Sequence, residues 1–443
     1  SFATFLPGVY ETVTVPDLTP EFFPQYYLST GSARNWSYVY QGRQTFTGSL
    51  PNFILLNGYS LRFPIGHVAT IGTDSGTGGS TLNGAHLAGT RIIAVTDRTG
   101  YTAGDYIQID TTTNAEVRQI LVSGAGAGDI TLNYPLLLAH ASLVALNEVT
   151  SPYTHTLIED NELGSMTWNL LMRDTSSTPT ATSTGDFIRR YVGGMVNRAT
   201  LSANEGELLR FSWDDVIFLD LVHNQTLHSS VGGGATEIAK SSSALLDPTR
   251  VAITAGQGIG GDMPNATGAL GNAIYPTNKP YYFSQGSLQF FGTTFARIRN
   301  FRIDISNNLE PRYYLTNQGT NRIPSDIQEQ RREYRMSATI AMEDSAASTA
   351  TASSLWKELI LEGDYGSGVV GWNAILTFTR GANDNITITI PADGTASTAF
   401  EDQGIIVTRA PHNIGTEAPV QVDLETMFRS LSIVVVDSVA VYP

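Results

Sequence analysis

Cysteine is absent from the 443 residues of this sequence. The chain therefore forms no disulfide and has no thiolate to act as a nucleophile or to hold zinc or an iron–sulfur cluster. Because a large secreted protein needs no disulfide to fold, the absence of cysteine does not assign the chain to a compartment.

Basic residues are also few. The 26 lysines and arginines stand against 41 acidic residues, which gives a formal charge of -15. Charged residues make up 15% of the chain, against roughly 25% in an average soluble protein. A surface of this sign repels phosphate on average, so stable non-specific binding of nucleic acid is excluded.

Long apolar runs are missing as well. No stretch approaches the ~20 continuous apolar residues of a membrane span. The first ten residues, SFATFLPGVY, have neither the basic region nor the apolar core of a signal peptide. We therefore expect no contact with a membrane. Hydrophobic residues still make up 41% of the chain, which is enough for a sizeable core and excludes disorder throughout.

What the sequence does contain is alternation of apolar and polar residues with a period of two, the pattern of half-buried antiparallel strands. It is clear in Tyr334–Met342, in Ile386–Ile390 and in Arg297–Ser306, where a change of phase predicts a bulge near Arg299. The continuous apolar run Ile433–Val436 predicts a central strand. With 42 glycines and 19 prolines to supply turns, the fold class predicted is all-β.

A single short α-helix is predicted beside the strands, at Ser354–Glu362. Ser354 can cap its start and Gly363 can end it. Its apolar stripe, which we expect to pack against the sandwich, consists of Leu355, Trp356, Leu359 and Ile360.

Breaks in composition predict the organisation of the chain. Residues 1–71 form an N-terminal arm with the first strands, and the Gly/Ser/Thr-rich residues 72–89 are interpreted as a flexible connector. Short strand patterns over 90–149 predict a small inserted β module. Residues 150–443 form the main domain, in which the Gly-rich segment 229–271 is a long loop or extension.

Aromatic side chains crowd the first 60 residues, in a segment that prolines also interrupt. They are Phe22, Phe23, Tyr26, Tyr27, Trp36, Tyr38, Tyr40 and Phe46. So much aromatic surface must be buried somewhere. The arm either docks onto its own domain, which we favour, or docks onto a neighbouring chain.

No set of residues matches a catalytic or metal-binding motif. His223 and His228 lack the further ligands of a zinc site. The Glu159–Glu162 cluster and the pair Asp214 and Asp215 could supply the acid and base of a glycosidase. Adjacent residues of a regular strand point to opposite faces, however, and acidic clusters are usually solvated loops. We predict no catalytic residue, no cofactor and no metal.

In Ser287–Arg312 the pattern Ala-Arg-x-Arg-x-Phe is followed by Asn-Asn-Leu-Glu-Pro-Arg. This segment most strongly resembles the tail tube (major tail) proteins of bacteriophages with long flexible tails, the siphovirus type. Ile327–Ile340, Val192–Asn197 and Leu201–Leu208 are similar to further strands of that family. The resemblance covers most of residues 150–443 and, more loosely, 1–70. Residues 90–149 instead resemble small β modules inserted in phage structural proteins.

This resemblance implies a twisted antiparallel β-sandwich flanked by the helix. It further implies a structural subunit whose hexameric rings stack into a tube, through which the genome passes during ejection without specific binding. The implied partners are copies of itself and the tape measure, terminator and distal tail proteins. The protein would lie in the virion tail, and in the host cytoplasm during assembly.

Candidate contacts between subunits come from the aromatic arm and from one arginine-rich strand. They are Phe22, Phe23, Tyr26, Tyr27, Arg297, Arg299 and Arg302. The arginines either pair with acidic side chains across subunits or meet the DNA.

Two other classes of protein remain open from the sequence. A phage fibre or receptor- or carbohydrate-binding β protein would form trimers, with a repeated β-helix pattern or a carboxylate pair in an aromatic cleft. A capsid or cell-surface β protein would form lattices instead.

Overall fold

The structure of the protein is a computed structural model that describes residues 8–26, 38–124, 126–172, 187–223, 279–290, 293–295, 298–314, 324–341, 373–392, 405–413 and 421–442. The helix predicted at Ser354–Glu362 and the loop predicted at 229–271 lie outside the described residues.

The prediction of an all-β fold is confirmed. The described residues form 24 strands, and their helical elements are 3-10 turns at Tyr59–Arg62 and Phe283–Gln285, without an α-helix. Nearly all strands belong to two antiparallel sheets of eleven strands each.

Sheet one runs in the order β1-β2-β11-β10-β15-β18-β23-β21, with β9 and β12 beside β10 and β22 beside β23. Its strands are β1 (Thr14–Gln25), β2 (Tyr38–Ile54), β9 (Met166–Met172), β10 (Phe187–Asn204), β11 (Arg210–Phe218), β12 (Asp220–His223), β15 (Ile298–Ser306), β18 (Glu333–Ala341), β21 (Ile405–Arg409), β22 (His412–Asn413) and β23 (Gln421–Phe428).

Sheet two runs in the order β14-β13-β19-β20-β24-β8-β5-β6-β7-β4, with β3 beside β8. Its strands are β3 (Gly66–Thr81), β4 (Ile92–Val95), β5 (Tyr106–Ile109), β6 (Glu116–Val122), β7 (Gly128–Leu132), β8 (Ala145–Glu159), β13 (Gly286–Phe290), β14 (Thr293–Phe295), β19 (Ala374–Gly381), β20 (Asp384–Ile390) and β24 (Ser432–Asp437). A separate pair joins β16 (Glu310–Arg312) to β17 (Asp326–Gln328).

The strand register lines up apolar side chains on one face of each sheet. In sheet one, paired positions on β10, β15, β18, β23 and β21 form a buried row of Leu201, Ile303, Met336, Thr426 and Val407. The Thr426 hydroxyl is satisfied because it donates to the carbonyl of Met336 at 3.2 Å. The buried faces of the two sheets share one continuous core, so the sheets pack against each other as a sandwich.

Two local predictions are confirmed by this register. The pairing of β15 with β18 shifts between Ile298 and Asn300, which is the bulge predicted near Arg299. The apolar run Ile433–Val436 lies in β24, between β20 and β8, and is therefore a central strand.

A small closed barrel is built into one side of sheet two. Going round it, β8, β5, β6, β7 and β4 pair in turn, and the end of β3 closes the circle. Leu82 forms a bridge with Val95, and the amide of Thr96 donates to the carbonyl of Thr81 at 2.9 Å. The barrel has a core of its own, formed by Leu82, Ile93, Val95, Tyr101, Ile107, Ile109, Ile120, Ile130, Leu132, Leu136 and Leu146.

The barrel is not joined to the sandwich by a loose connector. Residues 72–81, which we interpreted as flexible, continue β3, so that interpretation is wrong there. The predicted boundary between residues 149 and 150 falls inside β8, whose first half lies in the barrel and whose second half pairs with β24.

The last described residues are anchored at the junction of barrel and sandwich. Ala440 and Val441 pack with barrel side chains, and the ring of Tyr442 stacks on His155 at 3.7 Å between ring centroids. The Tyr442 hydroxyl donates to Asp437 and accepts from the amide of Gly58 at 3.0 Å. Burial, with Asp437 beside it, raises the pKa of Tyr442 well above that of an ordinary tyrosine.

We expect Tyr442→Phe to lower the free energy of unfolding by about 1–3 kcal/mol, because it leaves the amide of Gly58 and an oxygen of Asp437 without a partner. Denaturant unfolding followed by tryptophan fluorescence measures this change. Tyr40→Phe is the control, since its ring is exposed. Equal stability of both variants would contradict the anchoring of this segment.

Candidate assembly surfaces

The β1–β2 hairpin extends past the sheet as a two-stranded ribbon. β11 pairs with β2 over Phe46–Ile54, and among the described residues no strand lies beside the outer part of the hairpin on that side. Phe23 pairs with Tyr40, and Phe22 lies on the opposite face of the ribbon. Phe22 is 57% exposed and Tyr40 54%, so neither face of the ribbon is covered.

This geometry corrects one expectation. We favoured an aromatic arm docked onto its own domain. Phe46 is buried in the core of the sandwich, but Phe22, Phe23 and Tyr26 are all exposed in the single chain. Tyr27 lies outside the described residues. The uncovered side chains form what we call the aromatic ribbon, defined by Phe22, Phe23, Tyr26, Tyr38, Val39 and Tyr40. Uncovered apolar side chains on both faces of one ribbon are typical of a contact with another chain.

The opposite end of sheet one is formed by β23 and β21. Its outer face exposes Met427, which pairs with Arg335 on one side and Ile406 on the other. The aromatic ribbon and this end therefore lie at the two extremes of one sheet.

The outer face of sheet one is charged. Its paired positions on β15, β18 and β23 include two arginines and four acids, an excess of two negative charges: Arg302, Asp304, Glu333, Arg335, Asp423 and Glu425. Where the strands end, a polar cleft of 380 Å³ is lined by Asn204, Glu205, Arg299, Asn300, Thr339 and Gln421.

The predicted arginines on this face have acidic partners within the chain. The Arg302 guanidinium donates to both carboxylate oxygens of Asp304, at 2.8 and 2.9 Å, and these bonds raise the pKa of Arg302. Arg299 pairs with Glu205 at 3.3 Å. Arg297 lies outside the described residues. These intramolecular pairs reduce the free positive charge that the two described arginines offer to phosphate.

The outer face of sheet two is different, because it carries no charge over its central strands. One row of paired residues crosses β13, β19, β20, β24, β8 and β3 as Ser287, Thr377, Thr387, Val434, Thr156 and Ala69. The next row across β19, β20, β24 and β8 is Thr379, Asn385, Val436 and Thr154. The two outer faces of the sandwich thus differ sharply in charge.

Asp214 and Asp215, which we considered as a catalytic pair, form hydrogen bonds with different partners. Asp214 accepts from the hydroxyl of Thr200 at 2.6 Å, and Asp215 accepts from the side-chain amide of Asn197 at 2.6 Å. Across the described residues there is no group of three or more His, Asp or Glu that could hold a metal ion. Within the same residues, no helix is long and apolar enough to cross a membrane.

A buried ionic cluster lies in the barrel, and the sequence pattern did not indicate it. Glu116, 1% exposed, pairs with the buried Arg118 and accepts from the ring of His140 at 3.0 Å. It also accepts from the amides of Leu137 and Leu138 at 2.8 and 2.7 Å. Burial acts to raise the pKa of Glu116, but these partners outweigh it, so the pKa is lowered. The cluster ties β6 to the segment between β7 and β8.

Comparison with known families assigns the chain to a family. A sequence profile described as phage tail tube protein matches residues 40–427, from β2 to β23. The chain belongs to the phage tail tube protein family. Tail tube proteins polymerise, and they are structural, non-enzymatic components of the virion tail. A search of individual curated proteins gives no match.

The predicted resemblance to a tail tube protein is therefore confirmed at the level of the family, and the type of tail stays a prediction. Sequence reasoning missed the exposed Met427 and the buried Glu116 of this tail tube protein. Glu116 and Arg118 flank Val117 in an alternation typical of a strand with one exposed face. Only the closure of the barrel shows that these two charged side chains are buried.

We expect Arg302→Ala to change the free energy of unfolding of the tail tube protein by less than about 1 kcal/mol. Its side chain is 57% exposed, and exposed ion pairs contribute little. Thermal unfolding of the subunit measures this change, with Arg335→Ala as the matched control on the same face. A larger loss for Arg302 alone would show that its pair with Asp304 is structural.

Proposed function

We propose that this tail tube protein forms the hexameric rings of a long flexible phage tail, stacked around the channel through which the genome is ejected. The observation that carries the proposal is the arrangement of sheet one. It has an uncovered aromatic ribbon at one extreme and an exposed apolar position at the other. Head-to-tail contacts between two different surfaces close into rings when the rotation fits.

In this arrangement, the aromatic ribbon of one subunit contacts the β21–β23 end of the next. The edge of β1 is unsuited to pairing with a further strand, since Pro16, Pro20 and Pro24 remove amide donors from it. The ribbon therefore binds its neighbour through side chains. Met427 and the aromatic rings supply apolar surface on both sides of the contact.

We further propose that the charged outer face of sheet one lines the channel. On β15, β18 and β23 its acids outnumber its arginines by two and repel DNA phosphate, and the pairs of Arg299 and Arg302 with acids of their own chain limit contacts that would slow the genome. Sheet two carries the barrel, which would narrow the channel if it faced inward. The barrel, which corresponds to the proposed module 90–149, then lies outside.

The other proposed partners are the tape measure protein within the tube and the terminator and distal tail proteins at its ends. The ends of a stack of rings expose the same surfaces that join one ring to the next. Proteins that close the tube therefore meet those surfaces, and the tape measure meets the channel face.

Cysteine cross-linking tests the ring contact without background, because the chain has no cysteine of its own. The variant Phe23→Cys/Met427→Cys should give covalent ladders that end at six subunits, and electron micrographs should show hollow tubes. Each single-cysteine variant is a control and should give dimers at most. Trimeric spikes, or tubes without the expected ladder, would contradict the proposed ring.

The channel face has a test of its own. Ser337→Cys lies on the outer face of sheet one and Thr387→Cys on that of sheet two. A bulky maleimide should label both in the free subunit, but only Thr387→Cys in finished tubes. Labelling of Ser337→Cys in tubes would place sheet one on the outside.

A further inference from the structure

The edges of the two sheets are unequally exposed to pairing with another chain. At one extreme of sheet two, β14 has only three residues, and such short edges offer little to pair with. On the other side, the segment Gly66–Asp74 of β3 pairs with β8, and no described strand pairs with its second side. If nothing covered it, an edge of that length would be a template on which a second copy of the chain can pair.

The barrel covers this edge. Alternate residues of a strand direct their amides to the same side, and β3 directs the amides of Thr70 and Gly72 away from β8. The Thr70 amide donates to the carbonyl of Ala115 at 2.8 Å. The Gly72 amide donates to Oε1 of Gln108 at 3.0 Å. Both acceptors belong to the barrel, and Gln108 and Ala115 are buried.

The side chain of Gln108 is held for this contact. Its Nε2 donates to the carbonyl of Asp110 at 2.9 Å, which fixes Oε1 toward Gly72. Ala115 follows the turn that begins at Asp110, where the backbone adopts a positive φ of 70°. The segment from Gln108 to Ala115 thus places two hydrogen-bond acceptors where they meet the amides of Thr70 and Gly72 on the β3 edge.

We propose that the barrel is an edge cap, which prevents subunits from pairing through β3 and so leaves their association to the two ends of sheet one. This inference rests on the proposed assembly through sheet one. The barrel then makes assembly specific, because it excludes a second copy of this chain from the β3 edge.

The test removes the cap and then repairs the edge. In the barrel-less variant, Asn-Gly replaces residues 75–148 and joins Asp74 to Val149, which are paired across β3 and β8, by a two-residue turn. We expect this subunit to form polydisperse β aggregates that bind thioflavin. Adding Ile71→Lys should restore a monodisperse subunit, because a lysine on an edge strand opposes pairing. In the full chain, Ile71 is 43% exposed, and Ile71→Lys should leave solubility unchanged.

A matched lysine separates edge pairing from ordinary hydrophobic aggregation. Barrel removal also uncovers Val441, which packs with barrel side chains in the full chain. Val441→Lys adds the same charge to that apolar surface but not to the edge. Rescue by Ile71→Lys alone supports the cap. Equal rescue by both, or a barrel-less subunit that stays monodisperse, overturns it.

A second measurement uses the intact chain and tests the edge cap even if the barrel-less variant does not fold. Gln108→Leu removes the acceptor of the Gly72 amide while keeping a side chain of similar size. Hydrogen exchange at Gly72 should become at least about tenfold faster, with Thr70 unchanged. Unchanged exchange at Gly72 overturns the cap. Because these readouts concern the free subunit, a failure of the full-length protein to form tubes would count against the proposed function alone.

Discussion

Replacing Phe22, Phe23 and Tyr26 together by serine is expected to abolish long tubes while the subunit stays folded. All three side chains are exposed in the single chain, so their loss removes little of its own core. In the proposed ring each is buried on a neighbour, and full burial of such a side chain is worth about 1.5–3 kcal/mol. Electron microscopy measures tube length, and circular dichroism checks the fold.

The matched control removes apolar surface of similar exposure from the barrel. Leu87 and Leu143 are 76% and 71% exposed, and Leu87→Ser/Leu143→Ser should leave tube length unchanged. If the ribbon variant assembled normally, or if the barrel variant were equally impaired, the aromatic ribbon would not be the contact between subunits.

Glu116→Ala is expected to cost the barrel about 3–5 kcal/mol, because it leaves Arg118 charged, buried and without its carboxylate. Hydrogen exchange over residues 116–140 measures this loss locally. Glu148→Ala is the control, since Glu148 is only half-buried and its carboxylate accepts only from Thr77 among the barrel contacts described. A similar effect of both variants would contradict the role of the cluster.

The same cluster predicts how the stability of the barrel depends on pH. The pKa of Glu116 is lowered in the folded protein, so its contribution is complete above the ordinary glutamate pKa of about 4.3. As the pH falls through the folded value, that contribution is lost. Barrel stability should therefore drop in acid, and the drop should be smaller in Glu116→Ala. An unchanged acid profile in the variant would assign the pH dependence to other carboxylates.

Alternation in the sequence was enough to predict the strand faces. Tyr334, Met336, Ala338 and Ile340 recur at every second position and are all buried. Such a pattern is decided locally, since successive side chains of a strand point to opposite faces. The phase change near Arg299 is local for the same reason, and it correctly predicted the bulge.

Pairings between distant segments could not be predicted in this way. Residues 72–81 are rich in glycine, serine and threonine, and nothing in them indicates a strand. Residues 72–74 and 79–81 are held extended because β8 pairs with them, and tertiary pairing overrides local propensity. The closure of the barrel by Leu82 and Val95, and hence the burial of Glu116, follows from the same distant contacts.

The proposed assembly surfaces were predictable in composition but not in placement. The aromatic residues of the arm are plain in the sequence. Whether Phe22 and Phe23 are covered depends on where β11 stops pairing with β2, which only the sheet topology shows. Likewise, the acidic partner of Arg302 is two residues away in sequence, and only the side-chain geometry shows that it is engaged.

The continuity of β8 has a mechanical consequence. Its first half is a wall of the barrel and its second half lies between β24 and β3, and one strand runs through both halves with a bulge at Ser151 and Pro152 between them. Hydrogen bonds of antiparallel strands run perpendicular to the strand axis. A pull on the barrel along β8 therefore loads many of these bonds in shear at the same time, instead of opening them one by one. An outward-facing barrel would transmit tension from the surface of the tail directly into its wall.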